Sequence, residues 1–178
     1  MVPEKRYRCK MWFERVASFA TSVAAVIILT SCSRQHATTS VMPQFSELSY
    51  QDRVRLDAQR TVVATAVEQR YGVSALRKTT ADLPVLQRLI DDRAFNKRQT
   101  YELQSLGVAF GDVLSSELPL RWVIVTDEYG TDATLRFKST TVQINALTMI
   151  SKRIERDEAV NLDELLRITR EQLQFLID

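Results

Sequence analysis

An apolar run from Val16 to Leu29, softened only by Ser18, Thr21 and Ser22, divides this chain into parts that cannot share one fate. Lys5, Arg6, Arg8, Lys10 and Arg15 precede it. The run is shorter than the roughly 20 mostly apolar residues that a spanning helix needs. A basic start and a short apolar middle are the layout of a secretory signal. Positive charge before the run keeps that end in the cytoplasm and directs the residues beyond the run outward. Folding is therefore expected only beyond this segment.

The run ends Leu29-Thr30-Ser31-Cys32, and polar sequence begins directly after the cysteine. This pattern resembles the lipobox of bacterial lipoproteins: an aliphatic residue, two small residues, then cysteine. The resemblance implies cleavage before Cys32, a diacylglycerol on its thiol and a further acyl chain, such as palmitate, on the new terminus. Small residues let a peptidase approach the backbone, and a thiol supplies the soft nucleophile for a thioether. Each buried lipid CH₂ contributes about 0.8 kcal/mol, so several chains hold a domain on a membrane. Residues 1–31 are thus expected to be a signal peptide. Residues 32–44, rich in Ser, Thr and Gln, are expected to be a flexible tether, and 45–178 a single domain. Ser33 stands where inner-membrane lipoproteins of many Gram-negative bacteria carry Asp, which implies the outer membrane, facing the periplasm.

Without residues 1–31 the charge balance changes. The whole chain has 24 Lys/Arg and 22 Asp/Glu; five and two of these precede Cys32, leaving 19 and 20. The pI of 8.6 therefore belongs largely to the leader. No basic stripe with interleaved aromatics occurs, so no nucleic-acid partner is expected.

The only cysteines are Cys9 and Cys32, and the only histidine is His36, in the tether. The folded part can therefore build neither a Ser-His-Asp nor a Cys-His site. It cannot build the usual nitrogen and sulfur sites for zinc or copper either. There is no glycine-rich phosphate loop. No cofactor and no metal are expected, and carboxylate, Ser-Lys or oxygen-ligand metal chemistry is what the composition leaves open.

Periodicity predicts an α+β domain: a small three-stranded antiparallel meander packed against several helices, after the N-terminal signal helix. Helical spacing predicts a long helix from Phe45 to Tyr71, capped by Gly72, with the charged stretch Arg53–Arg60 facing water. A short helix is predicted from Leu83 to Asp92, with Asp82 or Thr80 as its cap and Pro84 in its first turn. Another spans Lys97 to Leu118, with Gly107 and Gly111 on one side. Glycine costs about 1 kcal/mol inside a helix, and close packing is the expected reason for this pair. Three strands come next, "RWVIVTD", "ATLRFK" and "TTVQIN", the first with apolar residues on both faces. Gly130 is placed to take positive φ in the first hairpin. Two helices close the chain, the last capped by Asn161 with Glu164 in the manner of a capping box.

The stretch from "LGVAFGDVLSSELP" through "RWVIVTDEYGTD" to "LTMISKRIE" resembles a bacterial family called domain of unknown function 3806, over roughly residues 100–170. The resemblance implies a shared fold and a shared set of polar positions, and no particular activity.

The polar concentration that stands out is Asp127, Glu128, Tyr129 and Asp132 in the hairpin turn, with Trp122 upstream. Arg136, Lys152 and Arg153 are expected nearby, and one of the two helix cations could pair with a turn carboxylate. Carboxylates in a turn often serve the turn itself, since Asp bonds its own backbone. These residues support two functional readings. In the first, the protein is a non-enzymatic envelope lipoprotein. Cys32 attaches it to the membrane, and it binds an envelope protein through Trp122, Asp127, Glu128, Tyr129 and Asp132, with Tyr101 adding to the surface. In the alternative, it is a hydrolase of envelope glycans with Asp127 or Glu128 as the acid, which needs two carboxyl groups across a groove.

Overall fold

Helix α3 (Thr100–Glu117) is the element on which the others are packed. In a computed structural model of the chain, residues 42–175 are described, and they belong to one compact unit, Thr39–Asp178. The segment expected to be a signal helix, Cys32 and His36 lie outside the described residues. The elements run β1 (Gln44–Ser46), α1 (Tyr50–Tyr71), a 3₁₀ turn (Thr80–Asp82), α2 (Leu83–Asp91), α3, β2 (Leu120–Asp127), β3 (Gly130–Phe137), β4 (Gln143–Ile144), α4 (Ala146–Glu155) and α5 (Leu162–Gln174).

The class is α+β, as the periodicity predicts, but the sheet has four antiparallel strands in the order β1-β2-β3-β4. The additional strand is β1, inside the segment expected to begin the long helix and end the tether. Three residues are too few to show an alternation, and pairing of Phe45 with Val125 creates the strand. The helix starts later, where Ser49 accepts from the Asp52 amide and the Asp52 carboxylate accepts in return. This capping box satisfies two free amides of the first turn. β4 is reduced to Gln143–Ile144, which pair with Arg136 and Leu135.

β2 is central, with β1 and β3 on either side, and buries Leu120, Val123 and Val125. Its face bearing Leu120 and Trp122, with Leu135 and Phe137 of β3, joins the helical core. α3 is buried all round from Ser105 to Leu114, so it is an interior helix rather than an amphipathic one. Its two glycines are packing residues, as expected. A Cβ on Gly107 would stand 2.5 Å from the carbonyl oxygens of both Ala146 and Leu147. A Cβ on Gly111 would collide with the Trp122 ring. The start of α4 and the indole of β2 can approach α3 only because both side chains are missing.

Two expected caps differ in detail. Asn161 does accept from the Glu164 amide, at 2.9 Å, but the Glu164 carboxylate turns to Arg167 instead of completing a box. A free arginine one turn along outcompetes the backbone amide for the anion. Asp82 occupies the cap position of α2 but makes no capping bond with its side chain. Its carboxylate points backwards, to the amides of Arg77 and Lys78.

Candidate functional site

The β2–β3 hairpin places the residues singled out from the sequence. Asp127 pairs with Gly130, so Glu128 and Tyr129 form the two-residue turn between them. Gly130 has φ +126°, which its lack of a side chain permits. The Asp127 carboxylate accepts from the Tyr129 amide at 2.8 Å, and Asp132 accepts from the Ala133 amide at 2.8 Å. Both carboxylates thus serve the local backbone. Tyr129 is 90 % exposed, and the Glu128 carboxylate beside it raises its phenol pKa above the ordinary value.

Two of the basic residues expected near the turn bond elsewhere. Arg136 donates to the carbonyls of Ser139 and Thr140 and stacks 4.3 Å from the Phe45 ring centroid. Arg153 donates to the Met149 carbonyl. Among the described residues, no ion pair joins Lys152 or Arg153 to the hairpin turn. Trp122 is separated from the start of the hairpin turn by most of β2, roughly 17 Å at 3.3 Å per residue over five steps. Its indole turns inward onto Gly111, half-buried, while Tyr101 is exposed at the start of α3. The five residues therefore do not form one surface.

What the fold does bring together is a charged node between α1, α3 and the loop before α2. Asp112 is 7 % exposed on an otherwise apolar length of α3. The Arg60 guanidinium grips it with two bonds, Nε to Oδ2 and Nη2 to Oδ1, each 2.7 Å. The Trp122 indole N–H donates to Oδ1 at 3.0 Å. Arg60 also donates through Nη1 to Asp57 at 2.8 Å. Asp112 is the main reason the Arg60 pKa lies above its ordinary value. Arg60 thus lies in the stretch expected to face water, and Gln59 beside it is buried. Burial of the carboxylate 52 residues away overrides the local pattern. The sequence signal was present: an aspartate within "VAFGDVL" must find a partner once the helix is interior.

A cleft of about 420 Å³ opens over this node. Asp57, Arg60, Lys78, Asp82 and Asp112 supply its charges. Asp82 is 5 % exposed and accepts from the Arg77 amide at 3.0 Å and the Lys78 amide at 2.6 Å. That grip holds Lys78 at φ +60°, a left-handed conformation unusual for a side chain of this kind. The Lys78 ammonium stands 3.9 Å from Asp112 Oδ2.

A second groove, of about 680 Å³, has Leu89, Leu103 and Leu106 in its floor and the exposed pair Lys97–Asp157 in its lining. Neither cleft includes Asp127 or Glu128. Among the described residues, no group of three or more His, Cys, Asp or Glu could hold a metal ion. Among them too, no helix is long and apolar enough to cross a membrane.

Comparisons with known proteins bear on the domain and its fold. Residues 82–165 match the family model described as Domain of unknown function (DUF3806). That range holds Asp82, Asp112 and Trp122, whereas Arg60 and Lys78 precede it. No curated protein matches the chain. A crystal structure from Bacteroides thetaiotaomicron VPI-5482, at 1.50 Å resolution, is similar with a TM-score of 0.67 and 13% sequence identity. The match covers 75% of this chain and 49% of that one, so this chain spans about half its length. At that identity the likeness is one of fold.

Proposed function

We propose that this protein is a lipoprotein of the bacterial cell envelope, attached through Cys32, whose domain binds a partner in the periplasm without catalysing a reaction. The pattern Leu29-Thr30-Ser31-Cys32 supports the anchor. The observation that carries the non-catalytic reading is that both oxygens of each buried carboxylate in the cleft are engaged by the protein itself. Both oxygens of Asp82 accept backbone amides, and both oxygens of Asp112 accept Arg60, with Trp122 added. A general acid or base must exchange a proton with a substrate within hydrogen-bond reach. Carboxylates with both oxygens held by fixed protein donors are suited to holding a shape. The glycan-hydrolase alternative would need a groove at Asp127 and Glu128, and both clefts lie elsewhere.

Two measurements test this reading. Mass analysis of the N-terminal peptide, from membranes of the native host, should find a lipid-modified peptide beginning at Cys32. An unmodified peptide extending upstream of Cys32 would overturn the anchor. Cross-linking in intact cells should then recover a specific envelope partner, and recovery of none would remove the binding role.

A further inference from the structure

We infer that the outer edge of β3, from Thr131 to Ala133, receives an extended basic segment of another protein as an added strand. This names the kind of partner for the binding role proposed above, and rests on that reading.

The edge follows from the register. Lys138 donates its amide to Pro119, on the β2 side, and Phe137 donates to Val142, on the β4 side. Backbone groups alternate between the two sides of a strand, so Leu135, Ala133 and Thr131 face away from β2. β4 takes up only Leu135 and Arg136. Asn145 then turns the chain into α4, and its side chain accepts from the Thr134 hydroxyl at 3.0 Å. Beyond that point β3 has no neighbour. Among the described residues, neither Thr131 nor the Ala133 carbonyl has a backbone partner on that side. Thr131 and Asp132 are exposed. An open row of N–H and C=O groups is a template for another strand. The opposite edge of the sheet offers less: β1 is three residues long, and Pro43 before it has no N–H to give.

Charge chooses the occupant. Asp127, Glu128 and Asp132 lie at the open end of β3, and among the described residues none of them is in an ion pair. The one cation of β3, Arg136, is turned to the carbonyls of Ser139 and Thr140. A second copy pairing through this edge would set the acids against their own counterparts, and like charges opposite one another are destabilising. The Asp132 carboxylate occupies the Ala133 amide at 2.8 Å, which blunts the edge towards chains that bring no cation. A lysine or arginine on an incoming strand offers that carboxylate a stronger, charge-assisted bond and frees the amide for the ladder. Tyr129, exposed at the tip beside the edge, presents an aromatic face to the same cations.

The test uses the full-length chain in a non-ionic detergent, with acetyl-Lys-Val-Lys-Val-Lys-Val-amide as probe. One control peptide carries Glu for each Lys, and a second is the probe methylated at every backbone nitrogen. The readout is hydrogen exchange at the Thr131 amide, followed by NMR. Saturating probe should slow that exchange at least tenfold, and neither control should. Glu128→Gln combined with Asp132→Asn should weaken probe binding at least fivefold while the other amide signals stay those of the folded chain. No protection of Thr131, or equal protection by the methylated peptide, would overturn the added strand. Equal protection by the Glu peptide, or undiminished binding to the double variant, would overturn the basic partner. A Thr131 amide already protected without peptide, in a chain that light scattering finds dimeric, would give the edge to a second copy and overturn the inference. If the probe fails while cross-linking in cells recovers a partner, this inference falls and the binding reading stands.

Discussion

Asp112 shows how one buried charge organises its surroundings. An uncompensated carboxylate inside a protein is costly, and a partly buried pair returns that cost only through good geometry. Arg60 supplies the fork, and Trp122 supplies a third donor. Asp112→Ala is expected to lower stability by about 2–3 kcal/mol in urea unfolding, less than the full buried-pair value because Arg60 reaches solvent. Trp122→Phe removes one hydrogen bond and is expected to cost about 1 kcal/mol beyond any change in packing. Gly107 is limited by space rather than charge. A methyl group there meets two backbone carbonyls at 2.5 Å, and neither can swing aside as a side chain would. Gly107→Ala is therefore expected to destabilise by about 1–3 kcal/mol despite the better helix propensity of alanine. A neutral or stabilising result in the same urea experiment would mean that α4 can slide away from α3.

Among elements, the ends of helices carry the clearest chemistry. The Ser49–Asp52 box starts α1, and Ser49→Ala is expected to cost about 1 kcal/mol. The Ser49 hydroxyl, then its amide, hold the Asp52 carboxyl below its ordinary value of 3.8. A carboxylate lowered in the folded state contributes stability that is present above its unfolded value. That contribution is lost as pH falls through the lowered value. The Ser49→Ala deficit should therefore be full at neutral pH and shrink below about pH 4, as thermal melts across that range can check. At the other ends, α2 and α4 both stop with a non-glycine residue in the left-handed region, Arg93 at φ +49° and Asp157 at φ +57°. The Ala94 amide returns to Leu89, and the Glu158 amide to Arg153, as helix-stopping loops require. Glycine takes this conformation without the steric cost that an L side chain carries, so Arg93→Gly is expected to stabilise by a few tenths to about 1 kcal/mol, with a higher midpoint in urea. The short strand β1 covers one edge of β2, and an uncovered edge invites pairing between chains. A chain beginning at Leu48 should accordingly associate, seen as larger species in light scattering.

For the whole molecule, stability depends on packing around α3, since residues 45–178 contain no cysteine. Its melting temperature should be the same with and without dithiothreitol, and a shift would point to a cross-link through Cys9 or Cys32. Much of this architecture was legible because it obeys local rules. Apolar spacing marks α2, α3 and α5; Pro84 and Gly72 mark helix ends; alternation marks β2 and β3; Gly130 marks the hairpin. The match over residues 82–165 agrees with the family that the "RWVIVTDEYGTD" region resembles. The site was less legible. The hairpin carboxylates stand out in the sequence because they are adjacent, yet Asp127 and Asp132 bond their own backbone. The cleft residues Arg60, Lys78, Asp82 and Asp112 come from three separate segments, and each looks ordinary where it stands. By itself the sequence determined the α+β class, the order and type of most elements, the need for close approach at Gly107 and Gly111, and the absence of histidine and thiol side chains from residues 45–178. These depend on side-chain shape, composition and neighbours a few residues away. Only the tertiary structure decided that Gln44–Ser46 is a strand, that Arg60 turns inward, and that Lys78 overlooks a node of satisfied charges. Those outcomes depend on pairings between residues far apart in the chain, whose free energy exists only once α3 is buried.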